Sequence, residues 1–348
     1  MQDKETFVKA LVEEIIKQGE RQVEVYDQKI SNVYQVVKVK ILDGEDRGKE
    51  VVIDHGGQFT ISPAQLVREG QTVVLTAAAL EEDGGKTFQI IDKYRLDGLF
   101  NIGLFFFILV ILLSRLKGLG SFLGMIISLL VIVKFIVPQI LAGRDPVLIS
   151  ITGSFVILFS GIYLAHGFSR QTSVAVVSTL ITLILTGILS VIVVNMTRLT
   201  GLSSEEAYSL QFGPTATINF KGLLLGGMII GFLGVLDDIT TSLAATVFEL
   251  KKVNEKLKLT ELIRSSLNVG REHVSSLVNT LVLAYAGAAL PLFLLIILNP
   301  QGYPLWYIIN NESMAEEIVR TLVGSIGLLT AVPVTAVLAS WVVTRKDR

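Results

Sequence analysis

The chain has 348 residues, a formal net charge of −1 and 51% hydrophobic residues, and its mean hydropathy of +0.61 lies outside the usual composition of a soluble domain. The absence of cysteine excludes disulfides, thiol catalysis and cysteine metal sites, and the three histidines, His55, His166 and His273, are too scattered for a metal motif. The balanced charge, with no basic cluster before residue 96, gives no electrostatic case for nucleic acid.

About half of the charged residues precede Leu96, which divides the chain into a small soluble β-rich domain, 1–96, and a polytopic membrane domain, 97–348. The first turns, ETFVKALVEEIIKQ, have helical periodicity with charges throughout, which is neither a signal peptide nor a span. Two-residue alternation follows in RQVEVYDQ and VYQVVKVKIL, then an acidic glycine turn at 43–48 and the strand EVVID. Further on, REGQTVVLTAAAL and TFQIIDKYR flank a turn at 81–85. These short strands and glycine-rich hairpins predict a small barrel of the OB or SH3-like kind. Its strands lack the interleaved aromatic and basic residues of a nucleic-acid stacking platform, so it reads as a structural or partner-docking module.

Seven apolar runs then predict a multispan α-helical bundle, with transmembrane helices at 98–113, 119–141, 147–165, 173–195, about 222–248, 277–298 and 319–343. Before the fifth, SSEEA forms a capping box from Ser203 to Glu206 that starts a short helix. Alternate links carry Arg115 and Lys117, then Arg170, then Lys251, Lys252, Lys256, Lys258, Arg264 and Arg271, then the tail Arg345, Lys346 and Arg348. The opposite links offer little more than Arg144, Arg198 and Lys221, so the C-terminus is expected in the cytoplasm. With seven spans the β domain is then extracytoplasmic, and the favoured expectation is an additional span ahead of this numbering; the alternative is that one apolar run does not cross and the β domain is cytoplasmic. The link at about 250–276 has helical periodicity, with basic residues between Val253, Leu257, Leu262, Ile263, Leu267 and Val269. It is expected to be an amphipathic cytoplasmic helix lying against the membrane or the bundle.

The runs YLAHGFSRQT, TGLSSEEA, GLLLGGMIIGFLGVLDDITTSLAATVFEL, NVGREHVSSLVNTLVLAYAGAALPL and EEIVRTLVGSIGLLTAVPVTA are long and specific. Through them the chain resembles the YibE/F-like family of bacterial multispan membrane proteins, over most of its length after about Val36. The resemblance implies a bacterial plasma (inner) membrane protein with a span ahead of the small β domain, a point at which this sequence departs. It implies no activity.

The fifth predicted span contains Asp237 and Asp238, and an ionised Asp at mid-membrane costs ~2.5–3.5 kcal/mol. Gly227, Gly231, Gly234, Thr241, Ser242 and Ala245 share the helical face of Asp238, while Ile230, Leu233, Thr240 and Ala244 lie nearer Asp237. Small faces allow close helix approach, as in the pairs Gly222/Gly226 and Gly227/Gly231, so Asp238 is expected to point into the bundle as the functional carboxylate. Asp237 is its partner or the more wetted of the two. Thr241 and Ser242 would add oxygen ligands for a cation. The pair lies either within the bilayer or at its cytoplasmic rim.

Ser178, Thr182, Thr186 and Ser190 form a stripe along the fourth span, read as a packing seam with a pathway as the alternative. Asn279 and Pro291 could open a break in the sixth span. Arg264, Arg271 and His273 are candidates for a gate over the aspartates, and Glu316 with Arg320 is expected to form an exposed i, i+4 salt bridge. The functional expectation is a transporter or permease that binds a proton or cation at the aspartate pair. The alternative is a non-transporting sensor or scaffold whose outer β domain binds a ligand or partner. An enzyme acting on a lipid phosphate lacks the second acidic motif it would need, so no enzymatic activity and no cofactor are expected. Expected partners are the lipid bilayer, a proton or cation, and a second copy or a related membrane protein.

Overall fold

The structure is a computed structural model that describes residues 6–25, 28–57, 60–79, 86–212, 218–299 and 301–345, without the side chains of 22–25, 28–31, 79, 116 and 117. It divides into two compact units, Met1–Phe107 and Ile108–Arg348.

In the first unit, β-branched residues at every second position build antiparallel strands. They are β1 (Thr6–Val25), β2 (Gln28–Ile41), β3 (Glu50–His55), β4 (Thr72–Ala79) and β5 (Lys86–Lys93), in the sheet order β3-β2-β1-β4-β5. Val8, Ala10 and Val12 of β1 bury against Val37, Val39 and Ile41 of β2 and Val73 and Leu75 of β4. The edges β3 and β5 face each other across a cavity of about 320 Å³, which gives the sheet the form of a half-barrel. Gly44 and Gly48, at φ 77° and 87°, supply the left-handed backbone of the turn between β2 and β3. The turn expected at 81–85 lies outside the described residues.

The helix expected from the first residues is corrected: Thr6–Val25 is one long strand. Its register against β2 shifts between Val12 and Glu14 and again between Ile15 and Lys17. Each bulge adds a residue and re-phases the alternation. Val12 and Ile15 therefore fall three residues apart and, with Val8 four residues before Val12 by plain alternation, imitate a helical face, although each contributes to the core of a sheet.

The second unit is helical. Its elements, the first of which starts within the preceding unit, are α1 (Leu96–Arg115), α2 (Gly118–Leu141), α3 (Pro146–His166), α4 (Arg170–Met196), α5 (Glu205–Gln211), α6 (Phe220–Val253), α7 (Leu259–Ala288), α8 (Leu290–Leu298), α9 (Leu305–Asn310) and α10 (Glu312–Thr344). Six of these, α1 to α4, α6 and α10, are long and apolar enough to cross a membrane, and the α7/α8 pair, bent by 64°, makes up to seven. The sixth predicted span is thus not one straight helix. Pro291 lacks the N–H that a continuous helix would need and its ring crowds the preceding turn, so the chain bends at Ala289. The link expected to stand apart at 250–276 joins this span, because α7 runs without interruption from Leu259. The α7 residues Leu262, Ser266, Gly270 and Val274 are buried at four-residue steps, and Gly270 packs on Val332 of α10.

Side-chain caps fix where helices begin. Asp145 accepts from the Leu148 amide, Ser169 from Thr172 and Asn219 from Gly222. The cap of α5 is Ser204, which accepts from Ala207, one residue later than the Ser203 expected. The Ser203 carbonyl instead accepts from Ser313 Oγ.

The packing centres on α6, which contacts α3, α4, α7 and α10. Glycine permits the close approaches. A Cβ on Gly226 would lie 2.4 Å from Ser150 Oγ of α3, one on Gly324 of α10 would lie 2.8 Å from the Phe232 ring, and one on Gly327 would lie 2.7 Å from Thr186 Oγ1 of α4.

Candidate functional site

Apolar side chains at helical spacing, Met228, Ile229, Phe232, Leu236, Ile239, Leu243 and Val247, bury one broad arc of α6. The opposite side is left open as a narrow strip in which Gly227, Gly231, Gly234 and Asp238 are exposed and Thr241, Ser242 and Ala245 are half-buried. Asp238 therefore lies on the open strip, which corrects the expectation that it points into the bundle. Small residues do mark close packing at Gly222 and Gly226, against Pro146 and Ser150 of α3, but a Cβ at Gly227 or Gly234 would meet nothing within 4 Å. The side chains of the arc interdigitate with those of the neighbouring helices, and the glycines opposite it stay uncovered.

Asp237 sits at the border between strip and core. It is half-buried, and its Oδ1 is shielded without a hydrogen-bond partner among the described residues. No ion pair reaches either carboxylate among the described residues, nor do these residues contain a group of three or more His, Asp or Glu that could hold a metal. The hydroxyls of Thr240 and Thr241 donate to the Asp237 carbonyl, at 3.2 and 2.8 Å, and that of Ser242 donates to the Ile239 carbonyl at 3.2 Å. Thr241 and Ser242 are thus bonded to the helix backbone.

The depth of the pair follows from its neighbours. Lys221 Nζ at the start of α6 donates to Asn195 Oδ1 at the end of α4, so the two helices run antiparallel. Thr240 Oγ1 meets Thr179 Oγ1 of α4 at 2.5 Å. Thr179 lies nine residues beyond Arg170, about 14 Å at 1.5 Å per residue, and Asp237 is about one turn further from that end. The pair is therefore near the middle of α4, itself about 40 Å long. The helix continues well past the pair: Ala244 and Val247 of α6 bury with Val174 and Ala175 of α4 and Leu262 of α7.

The α4 stripe of Ser178, Thr182, Thr186 and Ser190 is wholly buried. Thr182, Thr186 and Ser190 donate to carbonyls four residues back, as hydroxyls on a packed helix face do. Ser178 Oγ has no partner. Among the gate candidates, Arg264, Arg271 and His273 are exposed on α7, and the described interactions bring none of them to the aspartates. Asn279 is also exposed, ten residues ahead of the bend at Ala289.

Sequence reasoning missed Thr179 and Tyr285, and it placed Thr240 near Asp237 without its contact to Thr179. Tyr285 Oη would lie 3.4 Å from a Cβ on Gly231, so this phenol borders the strip. Arg320 of α10 stands 5.9 Å from the Tyr285 ring and donates to Glu317 Oε1 at 2.6 Å. The expected pair of Glu316 with Arg320 is corrected accordingly: Arg320 takes Glu317, at i, i+3. Glu316 is buried, and its Oε1 has no partner. Tyr285, Arg320 and Glu317 thus continue the polar line from the strip toward the start of α10. The helical phase of Glu316, beside the buried Val319 and Val323, carried the signal for its burial.

The model of a family described as YibE/F-like protein matches residues 102–345. No curated protein and no solved structure matches the chain.

Proposed function

The chain belongs to the YibE/F-like family, and from that premise we propose that it is a transporter or permease of the bacterial inner membrane that binds a proton or cation at Asp237 and Asp238. The observation that carries this reading is the Asp237 carboxylate, at mid-depth in the bundle with an oxygen that has no partner among the described residues. An ionised Asp there costs ~2.5–3.5 kcal/mol, which a bound proton, a cation or water in the open strip offsets. Asp238 receives the ion from the strip, and Asp237 holds it. The line through Tyr285 to Arg320 and Glu317 continues the route toward the start of α10. In this reading α7 and α8 form one broken span, the bundle has seven spans, the basic ends of α4 and α10 face the cytoplasm, and the half-barrel is an OB or SH3-like module outside. The protein is not an enzyme.

The test reconstitutes the full chain in liposomes and follows internal pH and cation content. Flux above that of empty liposomes is expected, with a loss of about tenfold or more in Asp237→Asn, the scale of a deleted essential proton or ion contact. Unchanged flux in a folded Asp237→Asn protein would remove the assignment.

A second reading, a sensor or scaffold, draws support from a polar cavity of about 460 Å³ in the first unit. Gln35, Arg68, Gln71 and Lys93 are among the residues that line it. Specific ligand binding by the β unit, without flux, would favour that reading.

A further inference from the structure

A further cavity lies within the helical unit, where α4 begins and α10 ends. It has a volume of about 660 Å³ and is bordered by Phe168, Arg170, Val174, Val177, Leu338 and Trp341, within the size range of small-molecule sites. Its walls are apolar. Trp341 and Val177 are exposed beside it, and both belong to helices long and apolar enough to span a membrane. A cavity there opens toward lipid as well as toward the water at the helix ends. Phe168 stacks on Tyr163 at 4.3 Å between ring centroids, and the Tyr163 hydroxyl meets Ser173 Oγ at 2.9 Å, so this wall is held in place.

Charge identifies the occupant. Arg170 borders the cavity, and the Arg345 guanidinium lies 4.2 Å from the centre of the Trp341 ring. Neither arginine has an acidic partner among the described residues. Two cations and an indole at the ends of two spans, beside an apolar slot, complement a lipid that has an anionic headgroup and a hydrocarbon chain. We propose that this cavity holds an anionic phospholipid, with one acyl chain in the slot and the phosphate between Arg170 and Arg345. The site shares no residue with the aspartate strip and does not depend on its function.

The chain has two tryptophans, Trp306 and Trp341. Trp306→Phe, at an exposed position of α9, leaves Trp341 as the reporter in the full-length protein. Phospholipids brominated on the acyl chain are titrated into phosphatidylcholine vesicles containing this protein. Brominated phosphatidylglycerol is expected to quench Trp341 roughly fivefold more effectively than brominated phosphatidylcholine at the same mole fraction. Free phosphate cannot produce this signal, because the bromine is on the chain. Arg170→Gln with Arg345→Gln should abolish the preference, and Arg144→Gln with Arg198→Gln, at exposed positions before α3 and after α4, at the other ends of the helices, should leave it intact. Equal quenching by the two lipids in the parent protein would overturn the proposal, as would an equal loss of preference in the Arg144/Arg198 variant.

Discussion

Gly227 on α6 and Gly324 on α10 should respond to the same substitution with opposite sign. Alanine is favoured over glycine in a helix interior by about 0.5–1 kcal/mol, because glycine has more backbone freedom to lose. At Gly227 the added Cβ meets nothing within 4 Å, so Gly227→Ala should keep that gain. At Gly324 the Cβ would lie 2.8 Å from the Phe232 ring and 3.1 Å from Leu281, both of them buried. Overpacking of this kind costs about 1–3 kcal/mol, which exceeds the gain and leaves Gly324→Ala less stable by roughly 0–2.5 kcal/mol. The assay is thermal unfolding of the purified proteins in one detergent, read as the fraction that remains monodisperse after heating. Gly227→Ala should melt at or above the parent and Gly324→Ala below it. A Gly227→Ala protein that melts as far below the parent as Gly324→Ala would refute the open strip, since it would mean that something packs there.

Other consequences are separable. Burial holds the His55 imidazole below its ordinary value of 6.5, with the Lys93 charge adding to the effect and the Gln65 carbonyl opposing it. The unfolded chain then takes up the proton first, so His55 leaves stability intact above about pH 6.5 and lowers it as pH falls through that value. Protection factors of the β2 and β3 amides in the full chain, with the intrinsic pH dependence of exchange divided out, should fall between pH 7.5 and 5.5, and His55→Gln should flatten that dependence. Replacing Thr179 and Thr240 singly and together by valine should give a coupling energy of about 0.6 kcal/mol, the average for hydroxyl contacts between membrane helices, measured by a double-mutant cycle in unfolding. Arg320→Gln removes the partner of Glu317 and the cation above Tyr285. Flux in liposomes should fall while the melting temperature changes little, and normal flux would take these residues off the route.

Much of the fold was legible because long apolar runs are direct statements about solvent. Six of the predicted spans correspond to α1, α2, α3, α4, α6 and α10. The misreadings have local causes. In β1, a bulge placed the core residues Val12 and Ile15 three apart, and a periodicity argument has no means of seeing an inserted residue. At the sixth span, Pro291 marked a break, but the sequence did not reveal that α7 extends back to Leu259, because basic residues on its exposed side made that segment look interfacial. At the site, helical phase correctly separated Asp237 from Asp238, but assigned the wrong member to the interior. Phase says which residues share a face, and the neighbours decide which face is covered. Here the apolar arc from Met228 to Val247 determined that. The Thr179–Thr240 contact and the approach of Tyr285 to Gly231 join residues distant in sequence, and neither carries a motif.

Uptake of a proton or cation by Asp237 within the bundle is read most directly from the infrared difference spectrum of the reconstituted protein on a step in pH or in cation concentration. Carboxyl bands are expected that disappear in Asp237→Asn and are altered in Asp238→Asn. A difference spectrum unchanged by Asp237→Asn would contradict it.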